Sequence, residues 1–71
     1  MAEARYLVRG IGDAESAFKV EAMLHSKVGV QEVRADPETG ELWIRFDERL
    51  VPPPRLKSYL ESAGVRTVRP L

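Results

Sequence analysis

Hydrophobic residues along the chain follow two rhythms, strict alternation and helical spacing, and the switches between them predict its elements. Arg5–Arg9 reads as a strand, with Tyr6 and Val8 on one side and Arg5, Leu7 and Arg9 on the other. Gly10-Ile11-Gly12 breaks the alternation. Asp13 is expected to cap a helix, because its carboxylate can accept the free amides of a first turn. From Ala14 to about Ser26 the residues Ala17, Val20, Met23 and Leu24 recur at helical spacing, and Gly29 is expected to end that helix as a left-handed cap. Val30–Ala35 is a second strand, with Val33 and Ala35 pointing the same way. Asp36-Pro37-Glu38-Thr39-Gly40 has the composition of a turn. Leu42, Ile44 and Phe46 then alternate with Trp43 and Arg45, so residues 30–47 form a hairpin. Pro52-Pro53-Pro54 suits the start of a second helix, with Pro54 near its first position. Leu56, Tyr59, Leu60 and Ala63 share a face of that helix, Gly64 closes it, and Val65–Val68 is a last short strand.

The order βαββαβ predicts an α+β ferredoxin-like sandwich, a four-stranded antiparallel sheet with two helices on one face and the other face open. Residues 1–71 are expected to form a single domain. That fold hosts many activities and selects none of them.

Composition removes several classes. Apolar residues make up 44% and charged residues 31%, the balance of a globular rather than a disordered chain. Eleven basic and eleven acidic residues cancel, so net charge gives no general pull toward nucleic acid or anionic membrane. With no cysteine, disulfides, thiolate metal sites and cysteine nucleophiles are excluded. No apolar stretch approaches the ~20 residues of a membrane span. Met1–Arg5 carries no basic segment followed by an apolar run, so no signal peptide is expected and the cytoplasm is the expected location.

Several short pieces have a shared source. Gly10-Ile11-Gly12-Asp13-Ala14-Glu15-Ser16 precedes and opens the first helix, and Val20-Glu21-Ala22-Met23-Leu24 lies on it. Gly29-Val30-Gln31-Glu32-Val33 leads into the second strand, and Leu60-Glu61-Ser62-Ala63-Gly64-Val65 ends the second helix. In this order and spacing, from about Ala4 to Val68, the chain resembles the heavy-metal-associated domain of copper chaperones and P-type ATPases. That family shows Gly-Met-Thr-Cys-x-x-Cys in the loop, then Val-Glu-x-x-Leu, Gly-Val-x-x-Val and Ala-Gly-Tyr. The resemblance implies the same fold, but Asp13 and Ser16 stand at the two metal-binding cysteines, Ile11 at the loop methionine and Val65 at the tyrosine. Cu(I) prefers soft thiolate or thioether donors, so thiolate copper binding is expected to be lost and no metal ion or other cofactor is expected. Asp13, Glu15 and Ser16 supply too few oxygens for calcium or magnesium and are explained as a helix start.

Catalysis finds no support. Ser16, His25 and Asp13 are the residue types of a nucleophile triad, but Ser16 and His25 are nine residues apart on one helix. That is two and a half turns, about 13 Å along the axis and on opposite faces. Gly10-x-Gly12 lacks a full phosphate-loop fingerprint, and Asp13 would repel the anion.

The open sheet face carries the remaining signal. Alternation sends Arg5, Leu7 and Arg9 of the first strand and Trp43 and Arg45 of the third to that side, and these strands are central neighbours in this topology. Single-stranded nucleic acid is usually stacked on two or three aromatics. Here only Trp43 is outward, Tyr6 and Phe46 have core parity, and Glu32 and Glu41 dilute the positive charge. Trp and Arg are typical of protein interfaces. The expectation is therefore a non-enzymatic docking or self-association module using Trp43, Arg45, Leu7 and Arg9, unless the arginines stack over Trp43 and shield it within the monomer. Two other readings stay open: a part in metal handling through non-thiol ligands or beside a metal transporter, and a small-ligand regulatory module pairing through strand edges.

Overall fold

The computed structural model describes residues 1–71 as β1 (Ala2–Arg9), α1 (Ala14–His25), β2 (Val30–Asp36), β3 (Glu41–Phe46), α2 (Pro53–Ser62) and β4 (Arg66–Pro70). The strands form one antiparallel sheet in the order β2-β3-β1-β4, so β1 and β3 are the central pair. Val8, Val33, Leu42, Ile44 and Phe46 project from one face into a core shared with Ala17, Val20 and Leu24 of α1 and Leu56 and Leu60 of α2. Both helices therefore cover the same face, as the βαββαβ order predicts. All fourteen buried residues are apolar, so the interior holds no titratable group available for chemistry.

Strand β1 begins earlier than its alternation suggests. Ala2 and Ala4 lie opposite Phe46 and Ile44 of β3, and this pairing extends a strand whose small side chains signal weakly by themselves. At the other end, β4 runs to Pro70, while Val65, expected to open it, is instead buried in the core. Strand β4 departs from regular pairing, because Leu7 faces Arg69 while Val8 faces Thr67, leaving Val68 as an extra residue.

Two helix ends differ from expectation. Helix α1 stops at His25 with Ser26 as its C-cap, and the Ser26 hydroxyl donates to the Met23 carbonyl at 2.7 Å. Gly29 comes three residues later and does not cap the helix. It has φ +88°, and a side chain there would meet Val51 Cγ2 at 2.5 Å, so this glycine lets the start of β2 pass the 50–51 loop. Helix α2 starts one residue sooner than expected, with Pro52 at the N-cap and Pro53 and Pro54 in the first turn, where no amide is needed. Its end is as expected: Gly64 (φ +81°) donates to the Glu61 carbonyl and Val65 to that of Leu60, the paired bonds of a Schellman motif. Met23, which shares the helical spacing of Ala17, Val20 and Leu24, is 43% exposed, because the buried stripe of α1 consists of those three residues.

Candidate functional site

The loop after β1 uses its polar atoms to start α1. The Ser16 amide donates to Asp13 Oδ1 at 2.7 Å, and the Ser16 hydroxyl to Oδ2 at 3.2 Å. Both carboxylate oxygens are thus engaged within the helix cap. Those bonds from the Ser16 amide and hydroxyl hold the Asp13 carboxyl below its ordinary value. Glu15 pairs instead with Lys19 one turn on, at 3.2 Å. No three His, Asp or Glu side chains gather anywhere as a metal-ligating group. Met1 and Met23, the two thioethers, stand before β1 and near the far end of α1. Asp13 and Ser16 do not fit Cu(I): one is a hard carboxylate committed to a cap, the other a neutral hydroxyl. Ser16 and His25 both lie on α1, at opposite ends.

Asp13 has a consequence for acid stability. A carboxyl whose folded-state pKa is depressed stabilises the fold above its unfolded pKa and loses that contribution as pH falls through the folded value. Asp47, depressed by hydrogen bonds from Arg49, acts in the same direction. The melting temperature is therefore expected to fall as pH drops below about 4. Asp13→Asn, which keeps a capping oxygen but does not titrate, should flatten that fall. Thermal melts followed by circular dichroism from neutral pH to pH about 2 check this, and an unchanged slope in the variant would contradict it.

The open face is built mainly by β3 and its two neighbours. In register, Trp43 lies between Arg5 of β1 and Arg34 of β2, Arg45 between Glu3 and Glu32, and Glu41 between Leu7 and Asp36. Trp43 is half-buried. Its indole N–H donates to Glu3 Oε1 at 2.9 Å, and the Arg45 guanidinium lies 5.9 Å from its ring centre. Arg5 reaches Glu41 at 2.9 Å. The Arg45 Nε is buried without a hydrogen-bond partner. Trp43 and Arg45 thus come together as alternation predicts, and Leu7 lies on the same face opposite Glu41, about 13 Å along the sheet from Arg45. Arg9 does not join them: it lies past the start of β3, about 13 Å along β1 from Arg5, and faces Arg66 of β4.

Some exposed features escaped the sequence reading. Glu3 lay before the expected strand, and Arg66 and Arg69 lie on a strand whose irregular register hides their parity. Phe18 is 71% exposed, beside the mouth of a shallow groove with Ala22, His25 and Val33. Its signal was available, since it falls out of phase with Ala17, Val20 and Leu24. The surface depressions are each lined by at most three hydrophobic residues, a poor setting for a small apolar ligand. No helix is long and apolar enough to cross a membrane.

Compared with known proteins, the backbone matches metal-binding domains over nearly its whole length. A copper-binding domain from HMA7, a P-type ATPase, superposes with TM-score 0.86 at 27% identity, over 100% of this chain and 95% of that one. The CopZ metallochaperone gives 0.82 at 22%, over 94% and 100%. Its fold is that of the heavy-metal-associated domains. Oxidized MerP from Ralstonia metallidurans CH34 gives 0.81 at 19%, over 96% and 94%. No protein-family model and no curated protein matches the sequence. On that scaffold the chain has no cysteine anywhere, and an Asp13–Ser16 cap starts α1.

Proposed function

We propose that the chain is a non-catalytic docking module of the cytoplasm, a heavy-metal-associated scaffold that no longer holds copper by thiolates and binds another protein surface through its open sheet face. The observation that carries this reading is the face itself. Neither helix lies over it, and it presents a half-buried Trp43 beside Leu7 and the incompletely bonded Arg45. Aromatic and arginine side chains in a partly desolvated setting are the usual anchors of protein interfaces. The bond to Glu3 and the stacked Arg45 hold Trp43 in one orientation in the free protein, which lowers the entropy lost on docking.

The first occupant to test is a second copy. With rising concentration, amide resonances of Leu7, Trp43 and Arg45 are expected to move while those of α1 and α2 stay in place. Trp43→Ala should abolish the movement and leave the far-ultraviolet circular dichroism unchanged. Resonances that stay fixed up to millimolar protein would remove self-association.

A second reading keeps the chain in metal handling, acting beside a metal-binding protein rather than carrying the ion. It is supported by the likeness to HMA7 and CopZ over almost the full chain. Mixing with a metal-loaded domain of that kind should then move face resonances without transfer of copper.

A further inference from the structure

The charges on the open face identify the kind of partner it suits, an inference that rests on the docking reading above. Over β2, β3 and the first half of β1, acids and bases interleave: Glu32, Arg34 and Asp36, then Glu41 and Arg45 about Trp43, then Glu3 and Arg5. Two pairs form there, Arg5–Glu41 at 2.9 Å and Arg34–Glu32 at 3.9 Å. Beyond Leu7 the compensation stops. Arg9 faces Arg66 directly, and Arg69 faces Leu7. Arg9, Arg66 and Arg69 make no ion pair, and β4 carries no carboxylate. Every residue of β4 is exposed.

Like charges placed directly opposite destabilise a sheet, so fold stability does not account for this corner. Cations on an outermost strand can guard an edge against aggregation. That explains Arg66 and Arg69 but not Arg9, which sits on an interior strand.

We propose that Leu7, Arg9, Arg66 and Arg69 form a docking corner for an acidic, extended polypeptide segment. As the outermost strand, β4 presents its free backbone edge to an added strand. Carboxylates on alternate residues of that strand lie on the same side of the sheet as Leu7 and the three arginines, while the intervening side chains turn to the other side. A nucleic-acid strand suits the face less well. Glu41 and Asp36 continue the row that starts at Arg69 and Leu7, and Trp43 is the one aromatic outward on this face, where stacking of bases usually uses two or three.

The test is a titration of the isotope-labelled protein with three probes: a short peptide of alternating glutamate and threonine, its lysine counterpart, and an oligothymidylate. The glutamate peptide is expected to move the amides of Leu7, Arg9 and residues 66–69. Its affinity should fall as salt shortens the Debye length from about 30 Å at 0.01 M to about 8 Å at 0.15 M. The lysine peptide should move none of them. Arg66→Glu with Arg69→Glu should weaken the glutamate peptide about tenfold or more. Arg66→Glu alone places a carboxylate beside Arg9 and should raise the melting temperature by about 1–5 °C, so lost binding is separable from lost folding. Tighter binding of the oligothymidylate than of the glutamate peptide would overturn the polypeptide assignment. Shifts centred on Trp43 and Arg34 instead would overturn the corner and keep the docking face. A face unmoved by every probe and by concentration would overturn both.

Discussion

Replacing Asp13 and Ser16 together by cysteine is expected to turn a chain that leaves Cu(I) with a competing chelator into one that withdraws it. The geometry for this is in place. The two side chains already meet at the start of α1, Asp13 Oδ2 to Ser16 Oγ at 3.2 Å, so γ sulfurs carried on the same two residues are expected to reach one ion. Unpaired amides at a helix start lower a thiol's pKa and favour the thiolate, the form that binds. Two thiolates are the donors a soft monovalent ion prefers. The exchange removes the Asp13 cap, so the metal-free variant should melt below the parent. Copper should raise its melting temperature by preferential binding to the folded state. Competition with a chromophoric Cu(I) chelator, under reducing and oxygen-free conditions, reads the outcome. A double variant no better than the parent would mean that the loop's likeness to the copper-binding domains stops short of its ligand geometry.

Ile44→Ala should remove a large share of the fold's stability. Ile44 is fully buried on β3, between β1 and β2. Truncating such a residue costs about 2–5 kcal/mol. A domain of 71 residues has a total stability of only about 4–10 kcal/mol. The melting temperature should fall by more than about 10 °C. Leu50→Ala, at a position 48% exposed, is the matched control and should stay within about 0.5 kcal/mol of the parent. Urea denaturation followed by circular dichroism distinguishes the two, and similar midpoints for both variants would contradict the core described above.

Elements whose signals are local were legible in the sequence. Ala17, Val20 and Leu24 mark α1, the alternation of residues 42–46 marks β3, and Gly64 with Val65 marks the end of α2. What depended on a neighbour was less legible. Ala2-Glu3-Ala4 has little strand character of its own and is drawn into the sheet by Phe46 and Ile44. The partner of the Trp43 indole was missed for that reason, since Glu3 belongs to this stretch. Gly29 looked like a helix cap because a glycine soon after a helix usually is one, whereas the constraint comes from Val51, more than twenty residues away. The outward set Leu7, Trp43 and Arg45 could be read from parity. Arg66 and Arg69 could not, because the irregular register at Val68 shifts the parity of β4.

The central position of β1 also shapes how the chain must behave while it is being made. Of these four strands, the first to leave a ribosome is one that ends up inside the sheet, yet its partners are residues 41–46 and 66–70. At about 5–20 residues per second, β1 waits seconds for its first partner and longer for its second. During that interval α1 and the β2–β3 hairpin can form from local contacts, while a strand with two unsatisfied edges stays exposed. Arg5 and Arg9, spaced along it with Leu7 between them, keep that strand charged while it waits, which disfavours pairing between nascent chains. The same arginines that border the finished face thus serve the chain before the face exists.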